Sequence, residues 1–285
     1  MSQIGMVIDL ERCYGCRACM EACKVENSTP RGAFWMHVFR YEEGEYPEVD
    51  SHSMPRPCQH CSEPTCSYVC PTEARFKREE DGIVLTDYDT CIGCRYCEVA
   101  CPYGVNYLQF EDPAEAQYGH GGEVENGADV FGEGSVDDAV DVGDGKPPWH
   151  DPAHDETYGG KKVSGPQPEG VMGKCTFCVH RQDDEHTEGT AACQQTCPVD
   201  AIKFGDMEDP ESEPREHLRK KEQSSSTFKL LEERGTEPNV VYVGEEPSEE
   251  ARPIQTADEY MKAPEEAIEV ERDPPEDYET EFEGF

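Results

Sequence analysis

The chain lacks any long hydrophobic run. No stretch approaches the roughly eighteen consecutive apolar residues of a membrane-spanning helix, so no segment reads as crossing a bilayer. Positive charge is scarce: 25 Lys and Arg stand against 63 Asp and Glu, for a net charge of −38. Nucleic acid is excluded as a partner on that ground, because phosphate contacts need clustered Lys and Arg. The first residues, Met1 to Leu10, carry no basic region, twin arginine or cleavage site. The expectation is a chain with no signal peptide of its own. No dinucleotide-binding glycine fingerprint follows a strand pattern, which argues against a flavin enzyme. Apolar residues make up only 35% of the 285, a thin supply for a core serving one or two domains. Something besides apolar burial has to hold such a chain together.

Cysteine fills that role. Sixteen cysteines fall into four groups of four, at 13-16-19-23, 58-61-66-70, 91-94-97-101 and 175-178-193-197, with none left over. The third group, Cys91-Ile-Gly-Cys94-Arg-Tyr-Cys97-Glu-Val-Ala-Cys101-Pro102, is C-x2-C-x2-C-x3-C-P. That is the run that binds cubane 4Fe–4S clusters in bacterial ferredoxins. Its first three sulfurs, on one loop, converge on three iron corners. Its fourth cysteine begins a short helix and points toward a neighbouring cluster. The first group has the same spacing, with Lys24 where the third has proline. The second is two residues looser between Cys61 and Cys66, and the fourth sets fourteen residues between Cys178 and Cys193. Sixteen thiolates match four 4Fe–4S clusters.

Two other uses of cysteine compete. Structural zinc takes two C-x2-C pairs across a longer loop. Only the fourth group resembles that, and its ending, Cys193-Gln-Gln-Thr-Cys197-Pro198, argues against it. Disulfide scaffolds suit short secreted chains, which this is not. In two-cluster ferredoxins the fourth cysteine of one run completes the other run's cluster. Groups two and three are separated only by Pro71 to Thr90, so they pair with each other, and groups one and four pair around them. The expected ligand sets are Cys13, Cys16, Cys19 and Cys197; Cys23, Cys175, Cys178 and Cys193; Cys58, Cys61, Cys66 and Cys101; and Cys70, Cys91, Cys94 and Cys97.

This predicts an α+β fold of two ferredoxin-like units, one nested inside the other. The outer unit spans 1–50 and 171–209, and the inner unit 51–110. An acidic Gly-rich insertion, read as a mobile surface loop, occupies 111–170. Residues 210–245 read as a helical and strand extension for docking, and 246–285 as an acidic tail, disordered or draped on a partner. Strands are expected at Ile4 to Asp9, Ile83 to Thr86, Ala201 to Gly205 and Asn239 to Val243. Helices are expected in the stretch after Pro71, from Pro214 to Lys221, and from Thr227 to Arg234 with Ser226 as cap. Arg17, Lys24, Arg95 and Lys174 adjoin cysteines, where they either offset cluster charge or sit as solvated surface cations. Tyr14, Tyr96, Tyr103 and Phe177 read as packing, and His60 and His180 as non-ligands, because the cysteine count is complete. The spread of acid along the whole chain favours adaptation to high salt, with steering toward a basic redox partner as the alternative.

The wording around the cysteines goes beyond spacing. Cys91 to Gly104 (CIGCRYCEVACPYG), Lys174 to Arg181 (KCTFCVHR), Ala201 to Asp206 (AIKFGD), and Phe228 to Thr236 with Pro238 to Tyr242 (FKLLEERGT, PNVVY) carry a resemblance. They resemble the electron-transfer subunits of the dimethyl sulfoxide reductase family of molybdopterin enzymes, over residues 4–110 and 171–243. The resemblance implies a chain with no catalytic residues of its own. It would relay electrons between an integral membrane subunit that oxidises quinol and a catalytic subunit that carries the molybdopterin cofactor. It implies that groups one and four face the molybdenum subunit and groups two and three face the membrane. Nitrate reductase relatives often carry tryptophan where this chain has Cys94, which favours four cubanes here. It allows a peripheral complex on the outer face, exported with a twin-arginine partner, or one on the cytoplasmic face.

Overall fold

The computed structural model describes residues 2–27, 29, 32–110, 157–165, 167–221, 224–248 and 251–253. Its strands run in chain order as β1 (Ile4–Asp9), β2 (His37–Glu45), β3 (Glu48–Arg56), β4 (Arg75–Lys77), β5 (Val84–Thr86), β6 (Tyr107–Leu108), β7 (Thr157–Tyr158), β8 (Lys161–Lys162), β9 (Met172–Gly173), β10 (Ile202–Asp206), β11 (Thr227–Phe228), β12 (Val240–Val243) and β13 (Arg252–Pro253). The helices are α1 (Ala18–Asn27), α2 (Thr65–Tyr68), α3 (Tyr96–Ala100), α4 (Val179–Gln182), α5 (Ala192–Gln195) and α6 (Glu213–Lys221). A 3-10 turn covers Glu232–Arg234.

One sheet gathers both ends of the chain, in the order β10-β1-β12-β11. β1 runs antiparallel to β10, with Ile4 opposite Asp206, and parallel to β12, with Met6 opposite Val240. Covered on both faces, β1 buries five consecutive residues, Gly5 to Asp9, and its apolar run replaces the alternation of a half-exposed strand. Glycine is required at position 5, because a Cβ there would meet the Asn239 carbonyl oxygen at 2.6 Å. The strands expected at Ile4 to Asp9, at 201–205 and at 239–243 are therefore present.

The segment expected as a docking extension is built into this sheet. β12 is an inner strand of it, and α6 lays Leu218 against Val7 and Val243. Fully buried Asp9 of β1 accepts a hydrogen bond from His217 Nε2 at 2.9 Å and pairs with Lys221 Nζ at 3.1 Å. The helix expected over Thr227 to Arg234 is instead β11, a turn and the 3-10 turn. Tertiary pairing overrides the local pattern here. Thr227 pairs with Val243, Phe228 stacks on Tyr242, and Ser226 Oγ donates to the Gly244 carbonyl rather than capping a helix. The helix expected after Pro71 is also absent. Residues 75–86 form a β4–β5 hairpin, with Arg75 opposite Thr86. Its turn uses Gly82 at φ +73°; of the charged residues there Glu79 and Glu80 are exposed, whereas Arg78 and Asp81 are buried as an ion pair.

The long hairpin β2–β3, paired from His37–Arg56 to Glu45–Glu48, gave no expectation in sequence and runs across residue 50. β13 joins its edge, with Arg252 opposite Glu42, so this part of the acidic tail lies on the chain's own hairpin. The last part of the expected insertion packs inward at two points: Val163 is fully buried, and the Gln167 amide donates to the carbonyls of Tyr107 and Val171. Residues 111–156 and 254–285, the bulk of the expected insertion and tail, lie outside the described residues. The core joins Trp35, Phe177, Phe204, Tyr242, Met6 and Ile8 to buried cysteines, so thiols and apolar side chains share one interior.

Candidate metal centres

Four cavities sit inside this body, each lined by four cysteines. The first is lined by Cys13, Cys16, Cys19 and Cys197. The second is lined by Cys23, Cys175, Cys178 and Cys193. The third takes Cys58, Cys61, Cys66 and Cys101, and the fourth Cys70, Cys91, Cys94 and Cys97. These are the four quartets expected from the spacing. The atom-free space at each quartet, open solvent at its mouth included, is 300 to 330 Å³, and none of the sixteen cysteines forms a disulfide.

The loops repeat one device. The residue before the second cysteine of each of the four groups is left-handed: Gly15 at φ +74°, His60 at +41°, Gly93 at +64° and Phe177 at +53°. That conformation turns successive backbone N–H groups toward the first sulfur. His60 N–H donates to Cys58 Sγ at 3.5 Å and Phe177 N–H to Cys175 Sγ at 3.4 Å. Glycine adopts it freely, whereas His60 and Phe177 each bear a cost of the order of 1 kcal/mol. The two strained residues stack face to face, with ring centroids 3.7 Å apart. Further donors reach sulfur elsewhere: Ala201 N–H to Cys197 at 3.3 Å, Arg75 N–H to Cys70 at 3.5 Å and Met172 N–H to Cys91 at 3.5 Å. Gly93 also admits a close approach, since a Cβ there would lie 2.1 Å from the Gly170 carbonyl oxygen.

The donor chemistry fits 4Fe–4S clusters. A zinc ion needs four sulfurs about 2.3 Å from one point. Among the described residues no group of three or more His, Cys, Asp or Glu closes around a single-ion site. The sulfurs stand back around a space instead of meeting at a centre. Burial also pushes the thiols up: Cys19, Cys61 and Cys175 to about 12, and Cys178 to about 11. Cys23 and Cys193 are also raised well above the ordinary thiol range, by burial and by neighbouring thiols. Metal loading therefore has to displace protons, which couples assembly to pH.

The cavities form a row. Cys19 and Cys23 lie one turn apart on α1 and join the first to the second. After burial, the next cause raising Cys175 of the second cavity is Cys58 of the third. Cys97 of the fourth likewise feels Cys66 of the third. The ends of the row are open and its middle is closed: Cys16 and Cys94 are exposed, whereas Cys58, Cys175, Cys178 and Cys193 are buried.

The cations picked out in sequence divide. Arg17 is exposed, Arg95 is exposed and paired with Glu98 at 2.7 Å, and Lys24 is half-buried and bound to Thr29 and the Ala33 carbonyl. Lys174 alone of the four is buried, lines the third cavity and donates to the carbonyls of Val84 and Cys175. His180 Nε2 pairs with Glu26 at 2.8 Å; His60, which lines the third cavity, accepts the Val84 N–H at Nδ1 at 3.1 Å and keeps a buried Nε2 without a hydrogen-bond partner among the described residues. Tyr14 and Tyr96 are exposed, whereas Tyr103 is buried and bonds Thr236. Sequence reasoning missed Arg75, Asn106 and Glu26. Arg75 was hidden in the segment read as helix, and Glu26 ends a helix whose partner, Arg181, lies 155 residues away.

A family model described as a 4Fe-4S dicluster domain matches residues 49–116, and one described as a 4Fe-4S binding domain matches 4–25. The chain is 35% identical to a provisionally named dimethyl sulfoxide reductase iron–sulfur subunit of Halobacterium salinarum, over 87% of this chain and 81% of that one. It is 35% identical to the iron–sulfur cluster-binding subunit of menaquinone reductase of Nitratidesulfovibrio vulgaris, over 84% and 88%. It is 34% identical to the arsenate respiratory reductase iron–sulfur subunit of a Shewanella species, over 85% and 96%. With ferredoxin-type cysteine runs, a shared interior of thiols and apolar side chains, and relatives that match most of its length, the chain belongs to the 4Fe–4S electron-transfer subunits of the molybdopterin reductases, the non-catalytic iron–sulfur partners of those complexes.

Proposed function

We propose that this chain carries four 4Fe–4S clusters, one in each cavity. It would pass electrons between an integral membrane subunit that oxidises quinol and a molybdopterin-bearing catalytic subunit. The observation that carries this reading is the row of four cysteine-lined cavities with one exposed cysteine at each end, Cys16 and Cys94. When bound, the clusters would supply four one-electron carriers. The chain's own residues do the rest. Each quartet combines three cysteines of one group with the last cysteine of its partner group, which supports the nested arrangement. Buried Phe177 lines the second cavity, His60 and Tyr103 the third and Met172 the fourth, giving the cysteines apolar walls. At one end Ile92, Tyr96 and Val99, within five residues of Cys94 in sequence, are exposed apolar side chains, which supports docking of the membrane subunit there. At the other, Tyr14 and Arg17 flank Cys16, where the catalytic subunit would dock.

Among the described residues no helix is long and apolar enough to cross a membrane, which accords with a peripheral place in the complex. Export to the outer face with a twin-arginine catalytic partner is part of the proposal. The favoured terminal acceptor is dimethyl sulfoxide or an N-oxide. Purification from the native host tests the reading. Expected is about sixteen irons per chain, with a large molybdenum-containing subunit co-purifying. Zinc in place of iron, or a chain that purifies without a large partner, sinks it.

A further inference from the structure

Arg75 is a buried cation with no acid beside it among the described residues. It is 2% exposed on β4 and lines the fourth cavity. Its Nη1 donates to Asn106 Oδ1, its Nη2 lies 3.5 Å from Cys97 Sγ, and its Nε has no partner. Its own backbone N–H reaches Cys70 Sγ, so a single residue addresses two sulfurs of that quartet. Asn106 Nδ2 in turn holds the Cys97 carbonyl at 3.0 Å, which fixes the guanidinium against the sulfur. The same charge bears on Cys66 of the third quartet. Among the described residues no Asp or Glu pairs with Arg75, although the chain has 63 acids to offer.

A bare buried guanidinium is costly to maintain unless negative charge neutralises it. Here that charge has to come from the cysteine thiolates and whatever they hold. The contrast with other buried cations supports this. Arg78, equally buried, is surrounded by Asp81 and Asp183. Lys203 is met by Asp200 and Glu213. Arg75 stands apart from both.

We propose that Arg75 is the fixed countercharge of the inner pair of cysteine quartets. It favours the reduced form of a cluster held by Cys70, Cys91, Cys94 and Cys97, and to a smaller degree that of the neighbour held by Cys58, Cys61, Cys66 and Cys101. Arg75 is a positioning and tuning residue. Buried Lys174 is a second such cation: its charge bears on Cys175 of the second quartet and on Cys66 of the third, but its ammonium donates to the carbonyls of Val84 and Cys175, whereas the Arg75 guanidinium faces a sulfur directly. A cluster gains one negative charge on reduction. A fixed positive charge beside its sulfur stabilises that state more than the oxidised one.

The inference rests on the four-cluster reading, and the test separates the two. Iron is first counted on the wild-type complex: about sixteen per chain upholds the four-cluster reading independently of Arg75. Potentials are then followed by redox titration with electron paramagnetic resonance detection in wild type, Arg75→Gln, Arg75→Lys and Asn106→Asp. Expected in Arg75→Gln is a loss of at least about tenfold in the reduction equilibrium of one inner cluster, equal to about 59 mV downward for a one-electron couple. A smaller fall is expected in its neighbour and none in the outer pair. Arg75→Lys retains most of the wild-type potential. Asn106→Asp pairs the guanidinium with a carboxylate, so it lowers the same potential with Arg75 present and gives the reading even where Arg75→Gln fails to load. Unchanged inner potentials in loaded Arg75→Gln and in Asn106→Asp overturn the inference, as does an equal shift of all four clusters.

Discussion

Replacing Glu26 by glutamine should loosen the joint between the first and fourth cysteine groups. Glu26 ends α1, the helix that carries Cys19 and Cys23. Its carboxylate accepts from His180 Nε2 at 2.8 Å and from Arg181 through Nε and through Nη2 at 2.9 Å. Arg181 Nη1 then reaches Gln195 of α5 at 2.8 Å, so one carboxylate ties three cysteine-bearing segments. Burial alone would raise the Glu26 carboxyl. The hydrogen bonds from His180 and Arg181 more than offset it and hold the group at about 2, against an ordinary 4.5. The difference, 4.5 − 2, corresponds to about 3 kcal/mol at about 1.36 kcal/mol per pH unit. Because its side chain is only 18% exposed, solvent screens little of this. Glutamine mimics the protonated acid, so it should forfeit that amount. The folded value lies below the unfolded one, so the contribution is full above about pH 4.5 and fades as pH falls toward 2. The assay is hydrogen exchange of the cluster-loaded protein at neutral pH. Protection over residues 18–27 and 179–182 should fall by about 150-fold, from about 1.4 kcal/mol per tenfold, while β1, β10 and β12 hold theirs. Unchanged protection in α1 and α4, or a uniform loss across the chain, would refute the reasoning.

Exchange of Cys101 for serine should perturb the cluster of Cys58, Cys61 and Cys66 and spare that of Cys91, Cys94 and Cys97, because the Cys101 sulfur lines the third cavity. Cys70→Ser should do the reverse, and Mössbauer or paramagnetic resonance spectra of the two variants would show the exchange or its absence. With a net charge of −38, cluster retention should rise with potassium chloride as self-repulsion is screened over a Debye length of about 3 Å at molar salt. Full retention in dilute buffer would count against that account.

The elements legible in sequence were those fixed by local chemistry. β1, β10, β12 and α6 follow from short apolar runs and a proline start, and the structure has them. The quartets were legible because cysteine spacing encodes both which sulfurs share a loop and which one leaves it. What failed was decided at a distance. Phe228 reads as helix until Tyr242 is placed beside it, and Arg75 reads as one of several charges in a helix until β5 pairs with it. The β2–β3 hairpin left no signal because its outer half, Glu42 to Glu45 and Glu48 to Ser51, has Val49 as its one apolar side chain and gives no alternation to detect. The left-handed positions before each second cysteine were visible only as glycine in two groups. In the other two, His60 and Phe177 conceal the same turn behind bulky side chains.

Those two residues also explain how a chain of two units keeps one spacing. The stack of His60 on Phe177 lies between the third and second cavities, where the inner and outer groups meet. Around it the Asn239 amide donates to the His60 carbonyl at 2.7 Å, Tyr242 donates to the Pro55 carbonyl at 3.1 Å, and Arg78 donates to Asp183 at 2.7 Å. Each of these bonds joins a residue before position 110 to one beyond 180, and the first two use β12 and the residue preceding it. β12 and the residue before it therefore clamp the junction. The segment read in sequence as an extension for docking thus also holds the packed His60–Phe177 stack in place between the second and third cavities.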